Sequence, residues 1–146
     1  LVHNDFTTNF GSTLDPFLKE TGINPSRIVV YNLWRRFDED GVDTPFAVCD
    51  KRSVSEKELI PTDLFNYLPD QPEALTVEIC QSSHSESHKW YFYPEMTKDE
   101  VLMFKTYDSD EKPFIPTLHS AFDYPDTPNG VTPRESIEVR AVCFFD

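Results

Sequence analysis

The sequence predicts an all-β fold, an antiparallel sandwich or barrel of the jelly-roll kind, and three observations carry that prediction. Short runs of β-branched and aromatic residues recur along the chain, separated by turn residues. The segments that read as helices are one or two turns long, too short to serve as βαβ crossovers. With 12 Phe, 6 Tyr and 2 Trp in 146 residues, beside 12 Pro and only 4 Gly, the composition describes aromatic-lined strands joined by stiff loops. The length suits a single domain, 1–146, with one sizeable core. The chain lacks an initiator Met and opens on Leu1-Val2-His3 as though already inside a strand, so we expect an N-terminally truncated segment of a longer protein.

Leu1 to Phe6 reads as a short strand, and Thr7 to Thr13 as a polar turn. Thr13-Leu14-Asp15-Pro16 marks a helix start, with the helix running to about Lys19 and stopping at Gly22. Arg27 to Trp34 is the clearest strand. Phe37 to Thr44, acidic and containing Gly41, predicts an exposed hairpin-like turn, and Phe46 to Asp50 a short buried strand. Lys51 to Glu58 is charged and solvated, and Pro61 to Phe65 predicts a brief helix capped by Thr62 or Asp63. Thr76 to Cys80 is a strand, and Gln81 to Ser87 a polar, low-complexity loop with His84 facing solvent. Lys89 to Tyr93 is a strand opened by His88 and ended by Pro94; a further strand covers Val101 to Tyr107. Asp123 to Pro133, with three prolines and Asn129-Gly130, is irregular, and Ser136 to Phe145 closes the chain as a long strand.

A formal charge of −13 argues against nucleic acid and anionic membrane surfaces as partners. Three widely spaced cysteines without a CxxC pair fit neither a zinc finger nor a disulfide scaffold, and point to a reducing, cytoplasmic setting. No window approaches eighteen apolar residues, so nothing in the sequence marks a membrane span. The oligomeric state is not legible.

The chemistry-bearing residues form one constellation. On a strand, His3 and Asp5 point to the same face while Asn4 points away. With the distant His119 they make a two-histidine, one-carboxylate set of the kind that holds non-haem Fe(II) with positions left open for O2 and a cosubstrate. Arg134 and Ser136, two apart on one strand face, supply a fork and a hydroxyl for the far carboxylate of 2-oxoglutarate. Asn32 and Trp34 share a face of their strand, and Asn32 is a further candidate for the cosubstrate. Phe6, Trp34 and Trp90 are candidate walls for an apolar small-molecule substrate, although core packing also accounts for them. Glu138 and Arg140 continue the face of Ser136 and read as a structural ion pair. Two alternatives remain open: a metal-dependent isomerase or hydrolase using the same three ligands without 2-oxoglutarate, and a non-catalytic β-barrel in which His3 and Asp5 are incidental.

Five strings, YNLWRR (31–36), AVCDKRSV (47–54), HKWYFYPEM (88–96), DEVLMFKTYDS (99–109) and PRESIEVRA (133–141), resemble the CmcJ/AsaB-type hydroxylase/desaturase family of fungal and bacterial secondary metabolism. The resemblance runs from VHNDFT (2–7) to VCFF (142–145). It implies a double-stranded β-helix core and an Fe(II)/2-oxoglutarate-dependent oxygenase performing hydroxylation, desaturation or oxidative ring or peroxide formation. It also implies His3, Asp5 and His119 as iron ligands and Arg134 with Ser136 as the cosubstrate clamp. The family pattern has Pro where Leu118 stands.

Overall fold

The computed structural model describes residues 1–37, 43–65, 77–127 and 129–146. In these residues the strands are β1 (His3–Asn4), β2 (Arg27–Arg36), β3 (Phe46–Cys49), β4 (Leu59–Leu64), β5 (Val77–Ser82), β6 (Trp90–Phe92), β7 (Leu102–Asp108), β8 (His119–Ala121) and β9 (Ser136–Phe145). Helices α1 (Phe10–Thr13) and α2 (Asp15–Thr21) follow β1. A six-stranded sheet runs β4-β5-β1-β8-β3-β6, and a three-stranded sheet runs β7-β2-β9. Every described pairing is antiparallel. The fold is thus of the jelly-roll class, and among the described residues no helix is long and apolar enough to cross a membrane.

β2 is the spine of the smaller sheet because RIVVYNLWRR combines strand propensity with two faces that can both be buried. It pairs with β9 over ten residues, from Arg27↔Phe145 to Arg36↔Ser136. Against β7 the register shifts between Val30 and Tyr31: Val30 faces Tyr107 and Tyr31 faces Lys105. Thr106 is the extra residue of this β-bulge, and the bulge re-aims it inward. Two apolar clusters flank the interior. Ile28, Val30, Tyr107 and Phe114 pack beneath the helices with Phe6, Phe10, Leu14 and Leu18, while Cys49, Val54 and Leu118 pack with Val2, Leu59 and Ile115. Leu118, fully buried in the second cluster, fills a core position that a proline would fill less well.

The turn expected over Thr7 to Thr13 contains α1, and the helix after it ends at Gly22, whose φ of 70° is the left-handed conformation glycine adopts without cost. The helix expected at Pro61 to Phe65 is instead strand β4, paired with β5 from Leu59↔Ser82 to Leu64↔Val77. β4 lies at the sheet edge, where the missing N–H of Pro61 breaks no ladder, and Thr62 bonds the Ile60 carbonyl rather than capping a helix. Lys51 to Glu58 folds into two 3-10 turns, one capped by Asp50 and one by a Ser55/Glu58 box. Most of the turn expected at Phe37 to Thr44 lies outside the described residues, as do Thr76 and Pro128.

Gly11 allows α1 to press on Tyr107. A Cβ added there would lie 2.6 Å from the Tyr107 hydroxyl oxygen, and Tyr107 is wedged between Phe10 and Phe114. Gly11→Ala should therefore destabilise the fold by about 1–3 kcal/mol, the cost of overpacking, despite the better helix propensity of Ala. Thermal or urea melting checks this; a variant that melts with the wild type would show that no such contact exists.

Candidate metal centre

Strand pairing builds the centre. β1 lies between β5 and β8, with His3 directly opposite His119, so the two imidazoles rise from neighbouring strands with ring centroids 4.6 Å apart. Asp5 follows His3 by two residues and comes to the same side. His3 Nε2 is 3.6 Å from Asp5 Oδ1, and His119 Nε2 is 3.8 Å from Asp5 Oδ2. One nitrogen or oxygen from each residue falls within 4.8 Å of the others.

The other ring nitrogens are committed. His3 Nδ1 donates to the Leu1 carbonyl and His119 Nδ1 to the Thr117 carbonyl, each at 3.1 Å. A carbonyl can only accept, so both rings carry a proton on Nδ1, which leaves Nε2, on the side of Asp5, as the nitrogen a metal could take. This is the tautomer a metal-binding imidazole requires. Burial against Phe46 and Phe104 pushes the His119 pKa down to about 4, keeping that ring neutral at ordinary pH. The Asp5 carboxylate raises His3, which is less buried.

Asp5 is buried, which alone would favour its protonated form. Contacts with His3, His119, Arg140 and Asn32 outweigh burial and hold its carboxyl well below the usual range. Asn32 Nδ2 donates to Oδ2 at 2.6 Å, and the Arg140 guanidinium grips both oxygens, Nε to Oδ2 and Nη2 to Oδ1, at 3.0 Å each. The bulged Thr106 donates its hydroxyl to Asn32 Oδ1 at 3.0 Å, so the amide nitrogen is the end that faces Asp5. Asn4 adds support from behind, donating to the Thr106 carbonyl at 3.0 Å.

The remaining candidates occupy other stations. On β9, Ser136, Glu138 and Arg140 face Arg36, Trp34 and Asn32 of β2. Arg140 is at the Asp5 end of this row and Ser136 at the far end, four residues or roughly 13 Å along the strand. Arg134 precedes Ser136; its guanidinium lies 5.4 Å over the Trp34 ring and donates to the Thr44 carbonyl. Trp34 stacks on Phe46 at 4.7 Å, and Phe46 lies 5.6 Å from His119, so two aromatic rings separate Arg134 from the triad. The void beside Arg134 measures about 20 Å³, room for one water-sized group. Phe6 lines a cavity over His3 and Asp5. Trp34 is a buried packing residue. Trp90 is not brought to the triad: it lines a separate groove with Ala47 and Phe92, because its partner Cys49 packs in the second cluster. His84 is exposed as expected, whereas His88 is buried and bonds Glu58 at 2.9 Å.

The expected Glu138–Arg140 pair is present at 2.8 Å. Sequence reading missed the second role of Arg140, its bidentate contact with Asp5. The signal was available, since Arg140 shares the inward face with Ser136 and Glu138. Thr106 carried none, because a bulge position has no periodic signature.

Comparison with known proteins follows this geometry. A family model described as YDMC, oxidoreductase/YMDC permease-like domain, matches residues 1–144. The chain belongs to this family. It is similar to the Fe(II)/2-oxoglutarate-dependent dioxygenase nvfI of Aspergillus novofumigatus, 36% identical over 119 residues, covering 82% of this chain and 41% of that protein. It is also similar to the hydroxylase/desaturase asaB of Aspergillus flavus, 29% identical over 132 residues, covering 83% of this chain and 57% of that protein. The solved structure of the iron and alpha-ketoglutarate-dependent endoperoxidase NvfI superposes with a TM-score of 0.79 at 31% identity, covering 99% of this chain and 53% of that one. The chain therefore spans about half the length of the relatives it matches. The donor set fits the metal these names imply: two imidazoles that present Nε2 and an ionised, hydrogen-bonded carboxylate suit a divalent first-row ion.

Proposed function

We propose that the chain carries the metal centre of a non-haem Fe(II)/2-oxoglutarate-dependent oxygenase acting on a small secondary-metabolite intermediate. The observation that carries this reading is the convergence of His3 Nε2, His119 Nε2 and the Asp5 carboxylate, with both Nδ1 atoms already committed to carbonyls. These three side chains would hold Fe(II), and Arg134 with Ser136 would take the distal carboxylate of 2-oxoglutarate. When bound, iron and the keto acid supply an O2-dependent two-electron oxidation of the substrate, coupled to conversion of 2-oxoglutarate to succinate and CO2.

The protein's share is positioning. Asn32 and Arg140 fix the Asp5 carboxylate and keep it ionised. The Thr106–Asn32 bond sets the amide orientation that makes this possible. Phe46 and Phe104 shield His119 from water and keep it unprotonated. Arg134 is suited to its partner because a planar fork matches a carboxylate and stays charged at any working pH. Hydroxylation, desaturation and oxidative ring or peroxide formation all remain within this chemistry. The free cysteines, Cys49 and Cys80 buried among them, suit a reducing, cytoplasmic setting.

The test uses the full-length protein with Fe(II), substrate extract, O2 and 2-oxoglutarate. Product should require both cosubstrates, and succinate should rise in step with it; product formed anaerobically without 2-oxoglutarate would overturn the oxygenase reading. Arg134→Lys should weaken 2-oxoglutarate binding by about 1–3 kcal/mol, a factor of roughly ten to a hundred, while barely changing metal affinity. Unchanged 2-oxoglutarate affinity would remove Arg134 from this role.

A further inference from the structure

A cosubstrate held at both ends has a fixed length, so its two anchors must keep a fixed separation. His119, on β8, belongs to the six-stranded sheet, whereas Arg134 stands just ahead of β9 in the three-stranded one. The chain joining them contains neither helix nor strand between Phe122 and Glu135 among its described residues. Asp43 fastens both ends of this connection. Past the last β3–β8 pair, Phe46↔Ala121, the two segments stay joined. Phe122 N–H donates to the Pro45 carbonyl at 3.3 Å, and Tyr124 N–H to the Asp43 carbonyl at 2.9 Å. At the exit, the Arg134 N–H donates to the Asp43 side chain, at Oδ1, over 3.1 Å.

The same Oδ1 accepts from the Thr44 N–H at 2.6 Å and the Thr44 hydroxyl at 3.0 Å, which hold the carboxylate in one orientation over its own backbone. Thr44 in turn offers its carbonyl to the Arg134 guanidinium. The β2–β9 ladder begins at Arg36↔Ser136, so the bond from Asp43 reaches the main chain just ahead of it. Asp43 is not among the described residues that line the void beside Arg134. We propose that Asp43 is a positioning residue for 2-oxoglutarate. Through the Arg134 main chain it sets the distance from the metal centre to the clamp, and with it the length of keto diacid that the site accepts. This rests on the oxygenase reading, in which Arg134 takes the far carboxylate, and it adds what fixes the reach of that clamp.

The test uses the full-length protein loaded with Mn(II) under nitrogen, metal uptake being measured first. 2-Oxoglutarate and its one-carbon-longer homologue 2-oxoadipate are then titrated by calorimetry. Wild type should prefer 2-oxoglutarate by roughly tenfold or more, the usual worth of one methylene. Asp43→Ala should weaken 2-oxoglutarate by roughly tenfold and narrow the preference to about threefold or less, because a displaced anchor no longer matches either chain, while Mn(II) affinity stays as in wild type. Asp43→Asn should keep the preference, since all three bonds fall on one oxygen and an amide oxygen accepts them too. Asp43→Glu, with its acceptor one methylene further out, should narrow the preference as Asp43→Ala does. A merely structural role would lower the melting temperature and leave the ratio alone. An unchanged ratio in folded Asp43→Ala therefore overturns the proposal, as does an Asp43→Asn protein that loses the preference. Should Asp43→Ala lose its fold by circular dichroism, Asp43→Glu and Asp43→Asn decide, and equal ratios in the two overturn the proposal. Wild type that takes up Mn(II) but not 2-oxoglutarate overturns the oxygenase reading and this proposal with it, whereas normal 2-oxoglutarate binding with an unmoved ratio overturns this proposal alone.

Discussion

Asp5→Ala should abolish turnover and lower Fe(II) affinity by on the order of a hundredfold or more, since losing a direct ligand must exceed the 10–100-fold cost of losing a residue that merely supports one. Asp5 is the only carboxylate in the candidate ligand group. Without it two imidazoles face a dication with no protein carboxylate among its ligands. The loss also strands donors, because Asn32 and Arg140 both converge on Asp5. Stability must therefore be read beside affinity. Asp5→Asn keeps the shape and most of the packing, so it separates charge from folding. Calorimetry under nitrogen with Fe(II), or with Mn(II) as a stable substitute, provides the measurement. Wild-type affinity in a folded Asp5→Asn or Asp5→Ala protein would rule out the assignment of this carboxylate to the metal.

Asp108→Asn should be the most damaging change away from the site, costing about 2–3 kcal/mol at neutral pH. Asp108 is buried at the end of β7, where Arg27 donates from Nε at 2.9 Å and Nη2 at 2.6 Å and Lys105 donates at 2.6 Å. The figure is kept below that of a fully enclosed pair because Arg27 and Lys105 reach solvent and can rehydrate. The Arg27 bonds, against the opposing effect of burial, hold the Asp108 carboxyl well below its ordinary range, with Lys105 adding to them. A depressed carboxyl stabilises the fold above its unfolded pKa of roughly 3.9 and loses that contribution as pH falls toward the folded value. The stability gap between wild type and Asp108→Asn should accordingly be full at pH 7 and shrink below about pH 4. Urea melts at pH 7 and pH 3 check this, and a gap that does not change with pH would show the ion pairs contribute nothing.

How far the fold was legible depends on how each element earns its stability. β2 and β9 were readable because ten-residue runs of strand formers leave little choice of conformation. β4 was misread because Pro61-Thr62-Asp63 carries helix-start residues, and only the neighbouring β5 makes an edge strand the better outcome. α1 was missed since a four-residue helix has no periodicity to detect. Trp90 looked like a substrate wall because an aromatic strand has the same letters on either face of a sheet. Pairing with Cys49 decides which face it takes.

By itself the sequence determined the antiparallel β class, the shared His3/Asp5 face and the residue types of the candidate triad, because side-chain alternation along a strand and the donor atoms of a side chain are local properties. Tertiary structure decided what lies between distant strands: that His119 stands opposite His3, that a bulge turns Thr106 onto Asn32, and that Arg140 closes on Asp5 from 135 residues away. Those contacts follow from strand register and sheet pairing. Register depends on the summed packing of whole faces rather than on any residue that could be read alone.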